Sequence, residues 1–424
     1  MDDTNRAARG PRRLCIVDGY STGVELARQL RQAGFELVHV QTSTTIPAPW
    51  RASADLTLFD ERLALPEHGR EQVVRRLRAA AVEAVIAGCE AGVEAADDLG
   101  AAIGVPGNAP ATSARRRNKF EMGDAVRRAG LRVARQAVVR DARHLGEPLS
   151  WGTWPLVVKP LASAGSEALR FCDDERGLAA AVDGIIGTVN FMGQANDAAL
   201  VQERVFGQQF VVNAITVDGR HRITEIYRDD RIDVPLLGNI YDRELLLPYS
   251  GPEQDRLVPY MRAVLDAIGV AQGASHGELM MTREGPVLIE VGARLQGGII
   301  SSVIVESIGQ SHITAMVERY RDPAGFLDRI DEPYYVRKHC TVVNLIAHSG
   351  GILKRNNCAF LLRRLPSMHT IVRTPNVGDR VPKTVDLWTK AGHIYLLHES
   401  LEQLETDYRS VRAWEEEGAL LEVA

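Results

Sequence analysis

The stretch His276-Gly-Glu-Leu-Met-Met-Thr-Arg-Glu-Gly-Pro-Val-Leu-Ile-Glu290 limits what this chain can fold into more than any other segment. It reads as two short apolar strands joined by a turn at Arg283-Glu284-Gly285. With the turn centred on Glu284, Thr282 falls opposite Pro286, Met280 opposite Leu288, and Glu278 opposite Glu290. Side chains alternate faces along a strand, so the two carboxylates point the same way, with β-carbons roughly 5 Å apart and strong mutual repulsion. Something positive must offset that repulsion. A hard cation such as Mg²⁺ suits the pair, since it takes oxygen ligands, usually one or two carboxylates plus phosphates. Arg294, four residues beyond Glu290, is the alternative, and it would make the pair an ordinary solvated ion pair.

At 424 residues the chain exceeds the size at which one hydrophobic core stops growing, so about two to four domains are expected. A formal charge of −5 gives no electrostatic reason to look for nucleic acid. The one notable basic run, Arg115-Arg116-Arg117, reads as a solvated loop before a helix. Cys15, Cys89, Cys172, Cys340 and Cys358 show no paired short spacing, which argues against a zinc site or disulfide framework and for a reducing compartment, the cytoplasm. The start is polar without an apolar core of signal length, and no later stretch approaches a membrane span. Small-molecule chemistry is the expected class.

Leu14–Val17, the loop Asp18–Gly23, a helix over Val24–Ala33 and a strand over Phe35–Val40 form a β-loop-α-β unit. With Ala84–Ala87 as a further strand, this predicts a parallel sheet flanked by helices. The loop lacks the G-x-G-x-x-G spacing of a dinucleotide site. The pattern breaks near Gly104–Asn108, and a single charged helix is expected from about Ala114 to Ala129. Pro155–Lys159 and Ala168–Phe171 are strands around the small-residue loop Pro160–Ser166. That loop is either a surface turn or a tip whose N–H groups approach phosphate oxygens closely. Leu200–Val205 is a strand, and Gln209–Val217 pairs with His221–Tyr227 through an Asp218-Gly219 hairpin turn. Helices follow over 252–268 and 400–417, the latter with Leu401, Leu404, Tyr408, Val411 and Trp414 on its core face.

The order Leu156-Val-Val-Lys-Pro160, Gln202-Glu-Arg-Val205, Ser275-His-Gly-Glu278 and Leu288-Ile-Glu-Val-Gly-Ala-Arg294 resembles the ATP-grasp superfamily, most closely the L-amino acid ligases of the bacilysin-synthetase type. The resemblance implies a mixed α/β (α+β) ATP-grasp fold. Its expected parts are a disordered tail over 1–12, a parallel-sheet pre-ATP-grasp domain over 13–113, an ATP-grasp domain over 114–330 with a lid subdomain at about 150–205, and a β-rich C-terminal portion over 331–424 that completes the module. It implies ATP with Mg²⁺ or Mn²⁺, small-molecule amino acid substrates, no nucleic acid or membrane partner, and a homodimer. Lys119 and Lys159 match the lysines that neutralise the α- and β-phosphates. Ser163, Ala164, Gly165 and Ser166 match the phosphate lid, and Glu203, Arg204 and Val205 the hinge that reads adenine. Glu278 and Glu290 match the metal ligands, Arg294 the arginine that steadies the phosphorylated carboxylate, and His276 a position on the substrate side.

Two departures stand out. Gln209 replaces the acid that often holds the ribose hydroxyls, so a neutral contact is expected there. Gly292 stands where many ATP-grasp enzymes place an asparagine, and the resembling amino acid ligases share glycine or alanine there. Gly298 matches the position whose bulk limits the first amino acid, and its missing side chain implies room for a larger one. The implied reaction is amide formation between amino acids through an acyl phosphate, with release of ADP and phosphate. Another ATP-grasp carboxylate ligation, such as biotin-type carboxylation, and a non-catalytic ATP-binding module are the alternatives.

Overall fold

The computed structural model describes residues 12–163, 165, 167–234, 238–387 and 389–424. Apart from residue 12, the expected tail lies outside the described residues, as do Ala164 and Ser166 of the expected phosphate lid.

The chain begins as a four-stranded parallel sheet in the order β3-β2-β1-β4, with β1 Arg13–Val17, β2 Glu36–Gln41, β3 Glu61–Ala64 and β4 Val82–Ala87. Its two central strands, β1 and β2, are buried along almost their whole length, as helices on both faces require. The helix Thr22–Gln32 turns Leu26, Ala27 and Leu30 onto the sheet. The same core continues through Leu295 into Ile313 and Met316 of the helix His312–Arg321, which ties this sheet to the rest of the molecule.

A second sheet is small and antiparallel, ordered β5-β8-β6-β7, with β5 Gln136–Val139, β6 Leu156–Pro160, β7 Arg170–Cys172 and β8 Ala199–Glu203. The largest sheet has eight antiparallel strands ordered β13-β12-β9-β10-β11-β14-β18-β16. Its members are β9 Gln208–Val217, β10 Arg220–Val234, β11 Gly238–Leu246, β12 Gln272–Thr282, β13 Gly285–Gly292, β14 His339–Leu345, β16 Met368–Arg373 and β18 Gly392–His398. The remaining strands, β15 Gly351–Asn356, β17 Arg380–Val381 and β19 Leu421–Val423, make a small sheet beside it. The fold is thus mixed α/β, parallel at its start and antiparallel elsewhere.

Four local expectations are corrected. The helix expected over 114–129 is two elements: a 3-10 helix at Pro110–Arg116 and an α-helix at Lys119–Arg128. They part because the Asn118 side chain caps the second, its Oδ1 accepting from the N–H groups of Phe120 and Glu121. Arg116 and Arg117 are buried rather than solvated. β10 runs well past Tyr227, to Val234, and Asp218 and Gly219 supply the positive φ angles of 49° and 73° that its tight turn from β9 needs.

The glutamate hairpin turns one residue tighter than expected. Thr282 pairs with Gly285, Met280 with Val287, and Leu279 with Leu288. A bulge at Ile289 then restores the expected Glu278–Glu290 pair. Because of that extra residue Leu288 joins Leu279 in the core under the helix Gln254–Ala267, while Glu290 faces the other way beside Glu278.

Candidate active site

Lys159 is the last residue but one of β6 and Lys119 opens the α-helix capped by Asn118, and both are buried. The Lys119 Nζ donates to the Ser163 carbonyl at 2.9 Å and lies 3.2 Å from Glu290 Oε2. Burial drives the Lys159 ammonium down to about 8, even though Glu290 and Glu278 pull it up. Two cations from the smaller sheet and its preceding helix therefore face two anions from the large sheet.

Glu278 is held from three sides. Gln209 Nε2 donates to its Oε2 at 2.8 Å, His276 Nε2 lies 3.6 Å from Oε1, and Arg231 Nη2 lies 3.9 Å from Oε2. Burial alone would raise this carboxyl, but His276, Arg231 and Arg294 outweigh it and hold it well below the usual carboxylate range. His276 is buried, with Nδ1 3.0 Å from Asn213 Oδ1. Asn213 uses its own N–H groups on Glu225 and Gln296, so its oxygen accepts from the His276 Nδ1–H.

A cavity of about 850 Å³ opens beside these groups, lined among others by Lys159, Glu203, Gln209, Asp229, Met280 and Leu288. Glu203, Arg204 and Val205 also line it. The Glu203 carboxylate accepts from the Arg135 N–H at 2.9 Å, which fixes the chain where β8 ends. Gln209, expected at a sugar, has its amide turned onto Glu278.

Arg294 does not pair with either glutamate of the hairpin. Its Nε donates to Glu90 Oε2 at 3.0 Å, while Arg117 Nη1 donates to Glu90 Oε1 at 2.7 Å. Burial opposes ionisation of Glu90, but the two guanidinium groups win and lower its carboxyl. Gly292 is explained by this pair: a Cβ there would lie 3.0 Å from Glu90 Oε2 and 3.1 Å from the Arg294 Cζ. Gly298 has a φ of 76°, open space where a side chain would project, and a carbonyl that accepts from the Tyr395 hydroxyl at 3.1 Å. Ser163 is buried against Lys119, and Gly165 follows in the same loop.

Sequence reasoning missed Glu90, Arg117, Asp229 and Arg231. The last two stand two residues apart on β10, beyond the point where the strand was expected to stop, and their alternation with Tyr227 was the available signal. Nothing local marked Glu90.

Residues 153–303 match the ATP-grasp domain family. The chain is 29% identical over 414 residues to dapdiamide A synthase of Enterobacter agglomerans, covering 94% of this chain and 96% of that one. It is 23% identical over 237 residues to the L-arginine-specific L-amino acid ligase of Bacillus subtilis, covering 52% and 54%. The L-amino acid ligase structure from Bacillus licheniformis superposes with a TM-score of 0.75 at 17% identity, over 98% of this chain and 99% of that one. The chain carries an ATP-grasp domain. Among its relatives are ligases of amino acids and a dapdiamide synthase. No helix among the described residues is long and apolar enough to cross a membrane.

Proposed function

We propose that this chain is an ATP-dependent carboxylate–amine ligase that joins amino acids, or amino-acid-like acids and amines, through an acyl phosphate. The observation that carries the reading is the meeting of Lys119 and Lys159 with the directly paired Glu278 and Glu290, of which Lys159 and Glu278 line a nucleotide-sized cavity. The resemblance to the amino acid ligase and dapdiamide synthase sequences supports the same reaction.

Glu278 and Glu290 would hold Mg²⁺ or Mn²⁺. They fit it: both are hard oxygen donors on one face, and Glu278 stays ionised. A cation bound there neutralises phosphate charge. Lys119 and Lys159 would bind the phosphates, Glu203 to Val205 the adenine edge, and the Ser163–Ser166 loop would shut water out. The carboxylate substrate takes the γ-phosphoryl group to give an acyl phosphate and ADP, and the amine then displaces phosphate. The side chains perform no covalent step; they position groups and neutralise charge. Arg294 would steady the acyl phosphate, with Glu90 fixing its direction. Gly298 would leave space for a bulky first amino acid, so a chain that accepts only Gly or Ala as the acid contradicts that assignment.

Phosphate release screened over pairs of amino acids tests the reaction. Release is expected only when an acid and an amine are both present, and Glu290→Gln should abolish it without unfolding the chain. Release driven by bicarbonate alone, or ATP binding with no release for any pair, would overturn the reading.

A further inference from the structure

Arg117 does more than its salt bridge requires. Its side chain is 3% exposed and its Nη1 meets Glu90 Oε1, yet Glu90 already has the Arg294 guanidinium on its other oxygen. Arg117 is therefore a second desolvated cation for one anion, and a buried charge of that kind is costly unless it makes further contacts. Its other arm makes them. The Nη2 donates to Gln194 Oε1 at 3.2 Å and to Met192 Sδ at 3.8 Å, on a short hairpin at 187–196 that follows the helix Glu175–Asp183.

That hairpin is tightly built. Asn190 Oδ1 accepts from the N–H groups of Met192 and Gln194, and Val189 bridges to Ala195. Two bonds run from it to the chain on either side of the 163–166 loop. Asn190 Nδ2 donates to the Ala162 carbonyl at 2.8 Å, and the Phe191 N–H donates to Glu167 Oε1 at 2.9 Å. From the N-terminal region Trp50 meets the Phe191 ring edge-on, with centroids 5.3 Å apart. Arg117 thus stands between two parts of the proposed chemistry. Through Glu90 it reaches Arg294, and through the hairpin it reaches the chain that flanks the phosphate loop. Lys119, two residues along, donates to the Ser163 carbonyl of that loop, so one stretch of chain sets both contacts.

We propose that Arg117 is a positioning residue for the ligation: its forked side chain ties the Glu90–Arg294 pair to the hairpin that clasps the phosphate loop, so that the loop and the arginine assigned to the acyl phosphate keep one fixed spacing. A lysine cannot replace it, because a single ammonium lacks the fork that reaches Glu90 and Gln194 together. This rests on the ligase reading given above.

Amide and phosphate measured together during turnover of the full chain, with an acid and an amine that the wild-type chain joins, test it. The wild-type chain should release the two in equal amounts. In Arg117→Lys the kcat for amide should fall about tenfold to hundredfold, with KM for ATP changed by less than about twofold. Phosphate should then exceed amide severalfold, as water cleaves the misplaced acyl phosphate back to acid and phosphate. Gln194→Leu, at an exposed position, should also raise the ratio of phosphate to amide, although Glu90 keeps both arginines. The double variant should be no worse than Arg117→Lys alone, because both changes cut the same link. Equal phosphate and amide from Gln194→Leu overturn the proposal, and that arm stands even where Arg117→Lys does not fold. So do effects that add in the double variant, or an Arg117→Lys chain whose only changes are a lower thermal midpoint and a higher KM for ATP. A wild-type chain that makes no amide from any pair fails differently, because it sinks the ligase reading and this proposal with it.

Discussion

Lys159 is 6% exposed, and its ammonium titrates at about 8 where an ordinary lysine titrates at 10.5. The folded chain therefore binds fewer protons than the unfolded chain between those two values. Stability rises with pH across that window, and below about pH 8 the charged lysine costs the fold on the order of 3 kcal/mol. On the function proposed above, such a charge is kept for its ligand. Lys159→Met is expected to raise the thermal midpoint of the ligand-free chain at pH 7, with the gain shrinking toward pH 10, while nucleotide binding is lost. Scanning calorimetry with and without ATP checks both halves, and a lower midpoint for the variant at pH 7 contradicts the first. The residues that were legible from sequence, Lys159, Glu278 and Glu290 among them, sit in local patterns of strand and turn. Glu90 was not legible. Its partner Arg294 lies 204 residues away, and no period or spacing connects them.

Among the elements, the start of the helix Lys119–Arg128 has the most direct consequence for the site. Asn118 satisfies two of its free N–H groups, and the Lys119 N–H donates to the Leu161 carbonyl at 2.9 Å, so the cap and the loop after β6 together set where the Lys119 ammonium points. Asn118→Ala should cost about 1 kcal/mol of stability, measured by denaturant unfolding, and should also raise KM for ATP. A loss of stability with unchanged KM would show that the cap serves the helix alone. Charge content and the Gly130 stop made a helix visible here, but not its division, because 3-10 and α turns share the same side-chain pattern over so few residues. The hairpin of β12 and β13 teaches a similar lesson. The facing glutamates were legible because a tighter turn and the Ile289 bulge cancel, and alternation counted from the turn would have misplaced Leu288.

At the scale of the whole molecule the site is a meeting of three sheets. Glu90 follows β4 of the parallel sheet, Lys159 belongs to the small antiparallel sheet, and Glu278 and Glu290 belong to the large one. Arg116 is the buried fastener of that assembly. It donates to Asp97 and Thr112 and to the carbonyls of Ala109, Ile268 and Gly269, joining the N-terminal region to the segment that leads into β12. Arg116→Met should destabilise the chain by about 3–5 kcal/mol because Asp97 is left buried without its cation, and adding Asp97→Asn should recover part of the loss. Denaturant midpoints of the single and double variants check this. The order of the sheets along the chain could be read from apolar runs and turns, but their convergence could not, since it depends on contacts between distant segments.

Isotope transfer puts the central claim to the most direct test. With a carboxylate substrate labelled with ¹⁸O in its acid oxygens, turnover with ATP and an amine should place one labelled oxygen in each phosphate released, because that oxygen attacks the γ-phosphorus and leaves with it. Amide formed while the phosphate stays unlabelled, or label recovered in AMP, would contradict activation through an acyl phosphate.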